Sequence, residues 1–211
     1  MALLPLVAFM YAAVGHGGAS GYLALMALFS FSPETMKPTG LLLNLFVAGI
    51  SFYHFWKAGH FNFKLFLAFA LGSIPLSFIG GRFDIDATLY KIILGVLLLF
   101  AILKMLNVFG KEVTTTRPIN FPLAIVIGAC IGFFSGLIGI GGGIILSPVI
   151  LLLNWGKVKE AAAVSALFIW VNSASGIVGQ FSKGIQFDDH IWTFVILAVI
   201  GGYLGAYIGS K

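Results

Sequence analysis

The sequence predicts an all-α polytopic membrane protein built from two homologous halves, and three observations lead to this fold class. The chain is 60% hydrophobic and only 9% charged, against roughly 25% charged residues in a soluble domain. Several hydrophobic runs approach or exceed the roughly 20 residues that cross a bilayer core. A glycine-containing pattern also occurs twice along the chain, which is typical of an internal repeat.

Nine hydrophobic segments follow one another between polar or Gly/Pro interruptions. They cover residues 2–14, 19–31, 39–56, 64–81 and 88–108, then 121–138, 143–155, 161–181 and 190–208. The stretch from Gly110 to Asn120 is a long polar interval between the fifth and sixth segments. It predicts a connector, residues 110–120, between a first membrane repeat, residues 1–109, and a second, residues 121–211.

The two halves align at an offset of 124 or 125 residues. Three matched sites keep the same order: Gly15-His16-Gly17-Gly18 with Gly139-Ile140-Gly141-Gly142, Gly59 with Gly184, and Phe78-Ile79-Gly80 with Tyr203-Leu204-Gly205. On this alignment the segment 88–108 has no counterpart in the second half. We therefore expect a C-terminus that lacks one last helix.

Loop charges predict that the second repeat is inverted, because cytoplasmic loops carry an excess of Lys and Arg. If all five segments per half cross the membrane, one side collects eight of the 12 basic residues: Lys57, Lys64, Lys104, Lys111, Arg117, Lys157, Lys159 and Lys211. Counting each glycine-interrupted pair as one span divides the basic residues equally. An odd number of crossings per half is favoured, which places the N-terminus outside and the connector in the cytoplasm.

Two glycine-rich stretches form the candidate binding site. The first break comprises Gly15, His16, Gly17, Gly18, Ala19 and Ser20, and the second break comprises Gly139, Ile140, Gly141, Gly142, Gly143 and Ile144. A helix that restarts after glycines presents uncovered amides and its positive dipole end. Two such breaks can converge on one anion site near the midplane. The alternative is that the glycines only let helices cross closely.

Four further side chains are candidates for this site. His16 can donate to an anion or titrate near neutral pH, or it is a packed neutral ring bonded to a carbonyl. Asn44 and Asn172 lie inside the third segment of each half and either contact substrate or join helices. Ser165 is a small hydroxyl donor near the second break. No carboxylate falls within a hydrophobic segment, so proton coupling would use His16, a loop carboxylate or the substrate itself.

Composition also bounds the partners. The single cysteine, Cys130, excludes a disulfide framework and a thiolate metal site and is expected to be a small core residue. No metal or cofactor is expected. The net charge of +5 comes from basic residues spread singly through the chain, so a nucleic-acid partner is not expected. The expected partners are the lipid bilayer, a small anion and, where the chain self-associates, a homo-oligomer.

The second break followed by Pro148, the weaker copy in the first break and the stretch from Lys157 to Ser165 resemble the sulfite exporter TauE/SafE family. With the duplicated hydrophobic layout, the resemblance covers essentially the whole chain. It implies a secondary carrier for small sulfur-containing anions, such as sulfite or organosulfonates, in a prokaryotic plasma membrane. The first break departs from the family pattern at His16 and at Ala19-Ser20, which leaves the particular anion open.

Two rival functions remain on sequence grounds. Glycine-exposed amides can also line an anion channel. The run Gly18-Ala19-Ser20-Gly21 fits the Gly-x-Ser-Gly signature of rhomboid intramembrane proteases, with Ser20 as nucleophile. Ser20 follows a single short segment, however, and its counterpart in the second half is Ile144. We therefore expect a transporter and not an enzyme.

Overall fold

A computed structural model describes residues 3–105, 116–181, 184–185 and 187–211. Within these residues the regular elements are all helices: α1 Leu3–Ala13, α2 Ala19–Leu28, α3 Pro33–Lys57, α4 Phe63–Arg82, α5 Ala87–Met105, α6 Phe121–Ile138, α7 Gly143–Leu152, α8 Val158–Phe181 and α9 Ile191–Ser210. They coincide with the nine predicted segments. The predicted all-α polytopic membrane fold is confirmed.

The helices differ in length, and the shortest ones correspond to the short predicted segments beside the two breaks. The helices α3, α4, α6, α8 and α9 are long and apolar enough to cross a membrane. By contrast α1, α2 and α7 have 11, 10 and 10 residues. At 1.5 Å per residue each covers about 15 Å, or half of a hydrocarbon core. The short helices therefore do not cross the membrane alone, and each adjoins one of the two breaks.

The second break turns the chain back on itself. The backbone N–H of Arg117, just before α6, donates to the carbonyl of Asn154, just after α7, at 2.7 Å. Gly143, the first residue of α7, packs against Ile169 in the middle of α8, whereas Gly156 packs near Glu160 at the start of α8. The chain therefore enters α6 and leaves α7 at one face of the molecule. The loop after α7 therefore lies on the same side of the membrane as the chain before α6, as it would after two full crossings.

The fourth helix of each half packs against the first helix of the other half. Glycines make both contacts close, because a side chain there would run into backbone carbonyls of the facing helix. In α6 and α9 these glycines recur every four residues: Gly128, Gly132 and Gly136 against α4, and Gly201, Gly205 and Gly209 against α1. Exchanging the two halves therefore converts the α4–α6 contact into the α9–α1 contact, and the reverse.

Residues with positive φ recur along the chain at the offset of 124 or 125 positions that relates the two halves. Nine of the described residues have positive φ, and eight of them fall into pairs separated by 124 or 125 positions: Gly15 with Gly139, Gly18 with Gly142, Ser30 with Asn154, and Gly59 with Gly184. The helices α3 and α8 run antiparallel, because Gly49 faces Trp170 whereas Leu41 faces Gly176. Both observations support an inverted repeat. Of the predicted connector, residues 110–115 lie outside the described residues, as do Lys111 and Lys183.

One sequence expectation is wrong. Cys130 is exposed on the outer surface of α6 and is not a core residue. The helix α6 is apolar on all its faces, so residue type alone does not tell its lipid-facing side from its protein-facing side.

Candidate functional site

Each break is held against the third helix of the opposite half. A Cβ at Gly15 would lie 2.5 Å from the carbonyl oxygen of Ala162 in α8, and one at Gly139 would lie 2.7 Å from that of Lys37 in α3. Both glycines have positive φ, +75° and +90°. A side chain at either position would therefore be strained and would also collide with backbone. The close approach requires glycine in both halves.

Asn44 lies where the two breaks meet. Its Oδ1 accepts the backbone N–H of Ala19, the first residue of α2, at 3.1 Å. Its Nδ2 donates to the carbonyl of Ile140 at 3.2 Å and to Oγ of Ser173 at 3.3 Å. The side chain is fully buried. Asn44 thus satisfies one amide of the first break and ties it to the second, which is the joining role that the sequence left open.

The counterpart of Asn44 in the second half is Ile169, 125 residues later. Gly17 of the first break and Gly141 of the second both pack against Asn44 and Ile169. The centre of the molecule is therefore formed by one pair of equivalent positions from the two third helices. Of these two equivalent positions, Asn44 carries the polar side chain and Ile169 an apolar one.

His16 connects the first break to α7. Its Nδ1 lies 2.8 Å from the carbonyl oxygen of Val14, and its Nε2 lies 3.1 Å from the carbonyl oxygen of Gly143. The Nε2 atom is also 3.2 Å from Oγ of Ser147. Ser147 in turn lies 2.7 Å from Oγ of Ser165 in α8. The imidazole, which is 4% exposed, therefore heads a short chain of hydrogen-bonding groups that crosses between the halves.

A cavity of about 590 Å³ reaches this chain of groups. Its polar lining includes Tyr11, His16, Ser147 and Lys159, and most of the remaining lining is apolar. The cavity lies among the last residues of α1, α3 and α9, one side of α7 along its length and the start of α8. This is the face to which the charge pattern assigns the cytoplasm.

The cavity is positively charged. Lys159 donates from Nζ to the carbonyl of Gly209 at 3.0 Å and is partly buried. None of the lining residues, all from the described part of the chain, is acidic. A concave, mainly apolar pocket with a few convergent donors is the usual form of a small-molecule site. A cation, a hydroxyl and an imidazole together suit a small anion.

The predicted site residues fall into two layers. His16 and Ile144 line the cavity, and Ser165 reaches it through Ser147. Behind them lie the residues around Asn44, which contribute packing and backbone groups: Gly17, Gly18, Ala19, Gly141, Gly142 and Gly143. The glycines of the breaks therefore serve close packing.

Two predicted residues lie elsewhere. Asn172 donates from Nδ2 to Oγ of Ser73 at 3.1 Å and to the carbonyl of Phe168 at 2.8 Å, so it joins α8 to α4. Ser20 donates to the hydroxyl of Tyr11 at 3.0 Å. Nε2 of His16 lies 3.2 Å from Oγ of Ser147.

Three cavity residues were not among the predicted site residues: Tyr11, Ser147 and Lys159. Ser147 lies one helical turn after Gly143, so the helical period after the second break could have identified it. Lys159 entered only as a loop charge. Tyr11 carries no signal in the sequence, because its contact with Ser20 depends on how α1 and α2 fold together.

The opposite face has an equivalent region that is closed. The positions that match the cavity lining in the other half include Ser135 for Tyr11, Ile140 for His16 and Gln180 for Phe55. All three are buried, at 0%, 4% and 8% exposure. Within the described residues, Oγ of Ser135 and Nε2 of Gln180 have no hydrogen-bond partner. Unpaired buried polar atoms are costly and are rare in stable interiors.

Comparisons with known proteins give a consistent result. The family model described as sulfite exporter TauE/SafE matches residues 1–211. The chain is 38% identical over 209 residues to the probable membrane transporter protein y4hK of Sinorhizobium fredii, which covers 97% of this chain and 85% of that protein. It is 27% identical over 200 residues to the probable membrane transporter protein YunE of Bacillus subtilis, covering 85% and 71%. No solved structure matches the chain.

Proposed function

Because the chain belongs to the sulfite exporter TauE/SafE family, we propose that it is a secondary transporter of small sulfur-containing anions, such as sulfite or organosulfonates, in a prokaryotic plasma membrane. The observation that carries the proposal is the cavity of about 590 Å³ that ends at His16 and Ser147 and has Lys159 in its wall. A cavity with a cation and without a carboxylate in its lining favours anions over cations and zwitterions.

The anion binds at the inner end of the cavity. Ser147 donates to its oxygens, Lys159 binds it from the cytoplasmic side, and the positive charge of a protonated His16 ring attracts it. A hydrogen bond that involves a charged group contributes about 1.5–3 kcal/mol, so two such contacts are enough for a transport substrate that must also leave. The membrane potential acts on the same anion at about 2.3 kcal/mol per charge per 100 mV, outward when the interior is negative.

Alternating access follows from the relation between the two halves. Rocking of one half against the other closes the cavity at Lys159 and opens the equivalent region around Ser135 and Gln180. The unpaired buried polar atoms of these two residues support this step, because exposure to water would satisfy them. Asn44 and Ile169 stay at the centre in both states.

Counterflow in proteoliposomes tests the carrier. Vesicles loaded with unlabelled sulfite are diluted into a trace of labelled sulfite, and a carrier accumulates the label transiently and saturably. Lys159→Gln should lower the apparent affinity about tenfold, the equivalent of 1.4 kcal/mol, whereas Lys157→Gln, on the exposed surface of the same face, should not. Single-channel currents in planar bilayers would overturn a carrier in favour of a channel.

Cysteine accessibility tests the second state. In a Cys130→Ser background, Tyr11→Cys should react with a membrane-impermeant thiol reagent from the cavity side. Ser135→Cys should react only from the opposite side, and faster when substrate is present. Reaction of both cysteines from one side would contradict alternating access.

A further inference from the structure

Two carbonyl oxygens lie within hydrogen-bond distance of the His16 ring, and a neutral imidazole can donate to only one of them. The carbonyl oxygens of Val14 and Gly143 lie 2.8 Å from Nδ1 and 3.1 Å from Nε2. A carbonyl oxygen only accepts hydrogen bonds, and a neutral imidazole carries one N–H. With that hydrogen on Nδ1, the lone pair of Nε2 faces the lone pairs of Gly143. An imidazolium, with an N–H on both nitrogens, satisfies both carbonyls.

Ser147 lets the His16 ring change its protonation state without any heavy atom moving. When His16 is neutral, the Ser147 hydroxyl can donate to Nε2, 3.2 Å away. When His16 is protonated, that hydroxyl can turn and donate to Oγ of Ser165, 2.7 Å away. A proton from cavity water therefore binds the Nε2 lone pair and leaves again by rotation of one hydroxyl. The ring needs no new position.

The charges that face His16 link proton binding to anion binding. The ionisable groups around the cavity are Tyr11 on α1 and Lys159 on α8, and Tyr22 on α2 packs over Gly18. The cavity lining from α3, α7 and α9 carries no acidic or basic side chain. Lys159 opposes a second positive charge in the empty cavity, and a bound anion offsets that opposition. Each ligand therefore favours the other.

We propose that His16 is the proton-binding group of a proton–anion symport, in which one proton crosses the membrane with each anion. The proposal rests on the proposed function, since it names the coupling ion of the same site. In the loaded state the imidazolium donates to Val14 in the first break and to Gly143 in the second, so it ties the two breaks together as the halves rock. Release of the proton on the far side removes the bond to Gly143 and frees the anion.

A titration of the ring itself tests the proton site without any transport assay. Full-length protein with ¹⁵N-labelled histidine is placed in nanodiscs, and the His16 signals are assigned by their loss in His16→Gln. Both ring nitrogens should become protonated as the pH falls through the range of about 8 to 5, and methanesulfonate should move this transition to higher pH. A ring that keeps a single proton over the whole range would overturn the proposal.

Transport then separates the coupling from the substrate assignment. Methanesulfonate and thiosulfate stay ionised at neutral pH, so any proton that enters with them must be carried by the protein. In proteoliposomes with an entrapped pH dye, uptake by the wild type should acidify the lumen. In His16→Gln the number of protons taken up per labelled anion should fall to background, even at anion concentrations raised to restore a measurable flux, whereas His190→Gln, at an exposed histidine, should keep the wild-type ratio.

The outcomes are distinct for the two proposals. Absence of counterflow for sulfite, methanesulfonate and thiosulfate would overturn the proposed function, while the nitrogen titration would still decide whether His16 binds a proton. Counterflow without acidification in the wild type would overturn the symport and leave the anion carrier in place.

Discussion

The first and second breaks share a backbone but not a chemistry. Their capping glycines, Gly18 and Gly142, have φ of +90° and +80° at equivalent positions. The side chains between them differ, because His16 in the first break corresponds to Ile140 in the second. The first break presents the His16 imidazole to the cavity. In the second break the carbonyl oxygen of Ile140 accepts a hydrogen bond from Asn44, and that of Gly143 lies within hydrogen-bond distance of His16.

The difference teaches that equivalent positions of the two halves keep the same backbone conformation but carry different side chains. Asn44 and Ser20 of the first half correspond to Ile169 and Ile144 of the second. At the centre the first half provides the side chains of His16 and Asn44, and the second half provides the carbonyls of Gly143 and Ile140 with the hydroxyls of Ser147 and Ser173. A symmetric backbone allows two access states, and an asymmetric centre allows a directional preference between them.

The largest effect should come from removing the feature that the two breaks share. Gly142→Leu places a side chain at φ +80° with its Cβ 2.7 Å from Cγ2 of Ile131, which costs about 1–2 kcal/mol in strain and about 1–3 kcal/mol in overpacking. We expect counterflow to fall to background. Gly59→Leu has a nearly equal φ, +79°, but nothing within 4 Å, and should retain counterflow. Normal uptake by Gly142→Leu would exclude the second break from the working centre.

Asn44 and Ile169 measure the asymmetry at the centre. Asn44→Ala leaves the N–H of Ala19 and the carbonyl of Ile140 without their partner, and each buried unsatisfied group costs about 1–3 kcal/mol. The free energy of unfolding, measured by denaturant titration in micelles, should fall by about 2–5 kcal/mol. Ile169→Val should cost only about 0.5–1.5 kcal/mol. Equal losses at the two positions would show that packing, and not hydrogen bonding, holds the centre together.

Making the first break resemble the second tests the role of the imidazole. His16→Ile removes a hydrogen-bonding group worth about 1.5–3 kcal/mol when charged, so the apparent affinity for the anion should fall about 10- to 100-fold. Concentration-dependent counterflow gives this number directly. His190→Ile is the control, and an unchanged affinity in His16→Ile would place the anion elsewhere in the cavity.

The smallest effect is expected at Ser20, although it lies in the same break. Ser20→Ala loses one hydroxyl hydrogen bond, to Tyr11, which is worth about 1 kcal/mol in stability. Its uptake should stay within about threefold of the wild type. A cleavage assay on a membrane-inserted peptide substrate tests the rival function. Cleavage by the wild type that disappears in Ser20→Ala would support an intramembrane protease.

The predictable features are those that depend on local sequence. Apolar runs located all nine helices, and glycine marked the residues with positive φ at 15, 18, 139, 141 and 142. Contacts between halves were beyond reach, because the hydrogen bonds of Asn44 join three segments that lie far apart in the chain. Cys130 was misplaced for a related reason: in a uniformly apolar helix, only the neighbours determine which side faces lipid.

The exchange of first helices between the halves has a consequence for how the protein is made. The helix α1 packs along α9, the last helix of the described chain, and α6 packs along α4. The helix α1 must therefore wait in the membrane until α9 has been inserted, and neither half contains a complete set of partners. Because each half packs its first helix against the other half, the two halves fold together in one late step and not independently.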